Sequence, residues 1–185
     1  EIFTLRSPHI AEATVRNLHL EVNCYSHGHF HDEIVYGTSL TVQIVPLELD
    51  DQESADFMFD LKSDDTFVMS KFTRGKQDLS GVIKGKIGKI VNTPIGKVSV
   101  EKSANYKKNN VSLHVKRVPL QKVIDQVSSG LTVSAVSEMS TIIKLSYNDV
   151  SSQRAEDVLS TIIAVYNENW VKDCNRRSVS TSEFI

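Results

Sequence analysis

Cysteine is scarce in this chain of 185 residues: Cys24 and Cys174 are the only two, and they lie near opposite ends. They lack Cys-x-x-Cys spacing, so neither a redox motif nor a cysteine-built zinc site is available. We read them as two ordinary thiols. A disulfide between them is the other reading, and it requires a proximity that sequence does not reveal. Net charge is nearly absent too, at −2, and no basic run stands out. Phosphate binding needs clustered Lys and Arg, which excludes nucleic acid as a natural partner. No apolar run approaches the ~20 residues that cross a bilayer. Nor does any stretch have the make-up of a signal peptide. The first residue is Glu1 rather than Met, so the chain is expected to be a piece of a longer protein.

Catalytic signatures are missing as well. The glycines of Gly81-Val82-Ile83-Lys84-Gly85-Lys86-Ile87-Gly88-Lys89 have the wrong spacing for G-x-x-x-x-G-K-[ST] and for G-x-G-x-x-G, and read better as turn residues. Lys84, Lys86 and Lys89 form a solvated basic face, with contact to an anionic glycan as the alternative. No Gly-x-Ser-x-Gly elbow exists to present a nucleophile. Asp50-Asp51 and Asp64-Asp65 sit in turn-like contexts, and the single tryptophan, Trp170, is expected on an apolar helix face rather than in a sugar cleft. The chain is therefore read as having no catalytic residues and no cofactor.

His27-Gly28-His29-Phe30-His31 is the one cluster with metal-ligand residue types. In an extended strand, alternate side chains point to one side, so His27, His29 and His31 would converge and suit zinc with an open position. A solvated loop is the simpler account, since only Asp32 and Glu33 are at hand as supporting carboxylates. No metal is expected, and these three histidines are the candidates against that expectation.

Patterning gives the elements. Ser7 caps a helix with Pro8 in its first position, and Ile10, Ala11, Val15 and Leu18 form its apolar stripe. Asn23 to Asp32 reads as a polar loop. Leu40, Val42 and Ile44 alternate with polar neighbours as a strand that Pro46 stops. Phe57, Phe59 and Leu61 alternate likewise, Ser63-Asp64-Asp65 is a turn, and Phe67 and Met69 follow on a second short strand. Irregularly spaced glycines from Gly75 to Gly96 then mark small strands and tight turns. Val111 to Val115 is a strand, and Pro119 opens a helix whose Leu120, Val123, Ile124 and Val127 share a face up to a stop at Gly130. Two strands, Thr132 to Val136 and Ile142 to Tyr147, precede a long helix starting near Ser151 or Ser152. Ala155, Val158, Leu159, Ile162, Tyr166 and Trp170 line its apolar face. No Gly or Pro stops it before Ile185.

The expected class is α+β: a mixed sheet packed by helices on one side, an inserted small antiparallel β module and a long C-terminal helix. The frame is residues 1–47 and 104–185, and the module is residues 48–103.

The segment Asn148-Asp149-Val150-Ser151-Ser152-Gln153-Arg154-Ala155-Glu156-Asp157-Val158-Leu159-Ser160-Thr161-Ile162-Ile163-Ala164-Val165-Tyr166 resembles the end of the periplasmic region of polysaccharide co-polymerases, or chain-length determinants. The tail from Asn175 to Ile185 is similar to the Bacteroidetes-type members that carry a cytoplasmic tyrosine autokinase. Glu1 to Ile10, Tyr36-Gly37-Thr38-Ser39-Leu40-Thr41-Val42 and Asn92-Thr93-Pro94-Ile95-Gly96-Lys97-Val98 fit the same family. The resemblance implies a domain on the periplasmic face of the bacterial inner membrane, flanked by membrane helices that lie outside this sequence. It implies self-association into a ring in the full-length protein, work with the polysaccharide polymerase and export machinery, and contact with the nascent glycan. Any kinase activity would belong to a cytoplasmic domain not contained here. The alternative function is a stand-alone periplasmic carbohydrate-binding module, which the β-rich middle would supply.

Overall fold

The structure is a computed structural model that describes residues 2–27, 32–137 and 141–182. It is α+β, and it divides into two compact units, residues 20–123 and residues 1–19 with 124–185.

In the unit of residues 20–123, strands β1 (Val22–His27), β2 (Asp32–Val35), β4 (Ala55–Leu61), β5 (Thr66–Arg74), β6 (Gln77–Lys86) and β9 (Val111–Arg117) form one sheet in the order β2-β1-β9-β4-β5-β6. Strands β3 (Val42–Pro46), β7 (Lys89–Thr93) and β8 (Gly96–Lys102) form another in the order β3-β8-β7. Alternation explains why they pack. Ala55, Phe57, Phe59 and Leu61 point inward from β4, and so do Phe67, Met69 and Phe72 from β5, with Leu113 and Val115 from β9. They share one core with Val42, Ile44, Val98 and Val100 of the three-stranded sheet. The Phe59 and Phe67 rings lie 5.2 Å apart, and Phe57 and Phe72 lie 5.6 Å apart. Gly85 of β6 lies directly over Phe67: a β-carbon there would come within 2.4 Å of the ring. That glycine therefore serves close packing within a strand, whereas Gly75, at φ +63°, makes the turn between β5 and β6.

Polar contacts fasten the edges of this unit. Arg117, only 7% exposed, donates from its guanidinium to the carbonyls of Asp50 and Glu53. Asp65, with φ 65°, accepts from the Tyr106 hydroxyl and from Lys102 Nζ at 3.0 Å, which holds the Ser63–Asp65 turn to the segment after β8. That hydrogen bond keeps the Asp65 carboxyl below its ordinary range and pushes the Tyr106 phenol up to about 12.

The other unit contains α1 (Ile2–Leu5), α2 (Pro8–Leu18), most of α3 (Leu120–Gly130), the hairpin β10 (Leu131–Ala135) with β11 (Ile143–Tyr147), and α4 (Ser152–Ser182). Ser7 caps α2 as expected, accepting from the Ile10 N–H at 3.4 Å, with Pro8 at the first position. The α2 helix ends at His19, which takes the left-handed conformation at φ 50° that glycine usually supplies. Ser151 starts α4 by accepting from the Arg154 N–H, and Arg154 in turn holds Asp149 at 2.8 Å. Leu5, Ala11, Val127, Leu131 and Ile162 converge around a residual space of only about 10 Å³, so the unit has its own close-packed core.

Three expectations change. Every pairing among the described strands is antiparallel, so neither sheet is mixed. The division at residues 48 and 103 does not separate two bodies. β4 pairs along its whole length with β9, and β8 pairs with β3, so the strands of 48–103 are built into both sheets. Finally, the polar stretch from Asn23 is strand as far as His27: its one buried residue, Cys24, is enough to seat it beside β9.

Candidate functional site

Sheets with one buried face leave the other for chemistry. On the outer face of the six-stranded sheet, Asp56 stands opposite Thr73, and Thr73 opposite Asp78. One row along, His114 stands opposite Met58, and Met58 opposite Ser70. Regular pairing breaks between these rows. β5 carries one residue more than β4 between Asp56 and Met58, and β6 carries one more than β5 between Ser70 and Phe72. Adjacent bulges in neighbouring strands bend the sheet and re-aim side chains.

Lys71 is the residue set out by the first bulge. Its φ of 54° is in the left-handed region, which costs a side-chain-bearing residue about 1–2 kcal/mol. The bend opens a groove of about 540 Å³ lined by Asp56, Met58, Lys71, Phe72, Thr73, Asp78, Leu79 and His114.

The groove mixes donors and acceptors over an apolar floor. Asp56 and Asp78 offer carboxylate oxygens, Thr73 a hydroxyl and Lys71 an ammonium group, while Met58 and Leu79 supply carbon and sulfur surface. His114 Nε2 lies 3.5 Å from Asp56 Oδ1, and their side chains are 20% and 39% exposed. That pair steadies Asp56 while leaving its carboxylate partly open to solvent. With a neutral histidine, two carboxylates against one ammonium give the groove a formal charge of −1. Beside it, Tyr25 is paired in register with His114, and Lys116 Nζ lies 5.7 Å from the centre of its ring. The arrangement suits binding a small polar molecule that presents both hydroxyls and apolar edges.

The residues singled out in the sequence lie elsewhere. His29 and His31 fall outside the described residues. His27 is described only in its backbone, paired with Asp32. Among the described residues, no group of three or more metal-ligating side chains is placed to hold an ion. Cys24 and Cys174 are not joined in a disulfide, and burial pushes the Cys24 thiol up to about 12. Lys84 and Lys86 are exposed on β6, and Lys89 is exposed on β7. Trp170 is 59% exposed, not covered on an apolar face as expected. The inward side of α4 runs through Val158, Ile162 and Val165, and Trp170 lies off that line.

The groove residues were not singled out in the sequence. Alternation around Phe57 and Leu113 does put Asp56, Met58 and His114 on outer faces. What gathers them is the β4–β9 register and the bulge at Lys71, and neither has a local signal.

No protein-family model matches the chain, and no curated protein matches it.

Proposed function

We propose that the chain is the periplasmic, oligomerising domain of an inner-membrane protein that regulates the chain length and export of a capsular or exopolysaccharide. The full-length protein would carry a cytoplasmic tyrosine kinase.

The observation that carries this reading is α4, the helix in the segment of strongest resemblance. Its 31 residues span about 46 Å at 1.5 Å per residue. Among the described residues its buried stripe ends at Val165, yet the helix continues to Ser182 with Trp170 59% and Val171 50% exposed. By helical spacing, Ile163, Trp170 and Cys174 lie on one side, away from the buried stripe. Single apolar residues on a surface are ordinary, but a line of them on a helix that outruns its own core supports packing against further copies. In the ring this implies, α4 is the arm, and ring geometry biases how long the polymer grows before release. No helix among the described residues is long and apolar enough to cross a membrane, so the membrane attachment in this reading belongs to flanking sequence.

The test is genetic and direct. Deleting the gene in the producing cell should broaden or shift the length distribution of its polysaccharide on a gel, and the wild-type gene should restore it. An unchanged distribution would contradict the reading. The second reading, a carbohydrate-binding module, is favoured by the groove on the six-stranded sheet.

A further inference from the structure

We infer that the groove formed by β4, β5, β6 and β9 at the two bulges is a binding site for one or two uncharged sugar units of a polymer.

Four observations converge on it. The volume, about 540 Å³, is that of a small-ligand site. Two bulges occur side by side, and they place Lys71, a residue with a side chain, in a backbone region that favours glycine. Strain of this kind persists where the surrounding structure holds it, and such positions cluster at binding sites. Lys71 and Asp78 have no ion-pair or hydrogen-bond partner in their side chains among the described residues, although both line the groove. Three other charges of this unit do find partners: Lys97 with Glu48 at 2.7 Å, Arg74 with Glu53 at 2.8 Å and Lys102 with Asp65 at 3.0 Å, whereas Lys84 and Lys86, outside the groove, are simply solvated.

The ligand class follows from the donor set. A pyranose ring has hydroxyls around its edge and a patch of C–H groups on its face. Asp56 and Asp78 accept from hydroxyls, and a carboxylate takes two neighbouring hydroxyls with its two oxygens. Lys71 donates to hydroxyl or ring oxygens, and Met58 with Leu79 meets the C–H face. The carboxylates outnumber the ammonium, so a uronic acid or a phosphorylated sugar is disfavoured by like-charge repulsion. A free amine in the ligand is not required, because hydroxyl donors satisfy both aspartates. The reason a glycan would meet this face rests on the function proposed above, but the choice of an uncharged sugar rests on the groove itself.

The experiment is a titration of the isotope-labelled 185-residue chain, followed through its backbone amide resonances. The probes are cellobiose, N,N′-diacetylchitobiose, mannobiose and a glucuronic acid disaccharide. At least one uncharged disaccharide is expected to give saturable shifts confined to residues 56–58, 71–73, 78–79 and 114. Asp56→Ala and Asp78→Ala should each weaken that binding about tenfold or more, as expected for losing a hydrogen bond to a charged group. Lys97→Ala, distant in its own pair with Glu48, should leave it unchanged. The same spectra report whether each variant remains folded, so loss of fold is not mistaken for loss of the site. Absence of saturable shifts from all three uncharged disaccharides would overturn the inference, as would saturation centred on other residues or tighter binding of the glucuronic acid disaccharide. A failure here would leave control of polymer length standing, whereas an unaltered polymer after gene deletion would not touch a measured sugar affinity.

Discussion

Phe59 and Trp170 are both large aromatic side chains, one in each compact unit, and they have opposite fates: Phe59 is 0% exposed and Trp170 is 59% exposed. Phe59 sits in a strand, where each inward residue has partners across two sheets, and the Phe67 ring is 5.2 Å away. Trp170 sits on a helix that has already passed Val165, its last buried residue among the described ones. The β unit thus spends Phe57, Phe59, Phe67 and Phe72 on a closed core. The helical unit closes its core with the first half of α4 and leaves the second half available. The difference teaches that a residue's type sets what it can do, while its partners decide whether its apolar surface stabilises the fold or remains for assembly.

The sharpest way to break this comparison is to charge the covered half of α4. Ile162 is 1% exposed, and an unpaired carboxylate there costs several kcal/mol, comparable to the stability of a domain. Ile162→Asp is expected to abolish the cooperative unfolding of its unit in circular dichroism. Leu159→Asp should be milder, because Leu159 is only half-buried. Equal effects would mean that the inward side of α4 is wrongly drawn.

Phe59→Ala comes next. Truncating a fully buried phenylalanine costs about 3–5 kcal/mol, read as a lower urea midpoint. Amide exchange should quicken first in β4 and β5, where Phe59 and Phe67 face each other. An effect under about 1 kcal/mol would contradict the closed core.

Arg117→Ala should cost about 2–3 kcal/mol, since it removes the guanidinium donor from the Glu53 carbonyl and leaves the Asp50 carbonyl with only the Glu53 N–H. Arg117→Lys should recover only part of it, because one ammonium does not reproduce the guanidinium fork.

A smaller effect appears only in alkali. Burial raises the Cys24 thiol from 9.0 to about 12. A raised folded-state value favours the neutral thiol in the fold, so its contribution is fully present below about pH 9 and is lost as pH rises from there towards 12. Cys24→Ser should flatten that part of the stability-versus-pH curve measured by urea unfolding. A curve that keeps its slope between those values would place the alkaline loss on another group.

Sequence revealed the elements better than their neighbours. Ser7 and Pro8 announced α2, and the strict alternation from Ala55 to Leu61 announced β4, because capping and burial both leave local marks. Strand β1 has little local signal, because Asn23 and Tyr25 lie on one face while the other face holds Cys24, its one buried residue, together with the polar Ser26. The glycines misled in part: Gly75 does make a turn, but Gly85 lies inside β6 to clear the Phe67 ring. The separate β module was an inference from sequence continuity. Pairing of β4 with β9 across some fifty residues of sequence is set by long-range register, which composition does not carry. The groove depends on that register and on two bulges, so only its outward alternation, Asp56, Met58 and His114, was legible.

The uncovered half of α4 tests the account most directly. Trp170→Glu combined with Val171→Glu replaces two exposed apolar residues, and the effect on folding stability should stay within about 0.5 kcal/mol per site. The measurement is the mass of the full-length protein in detergent, wild type against the double variant, by mass photometry. The account predicts a closed oligomer for the wild type and a shift to smaller species for the variant, with the melting temperature of the domain unchanged. An oligomer of unchanged mass in the variant would contradict it, because the half of α4 that leaves the core would then have no part in assembly.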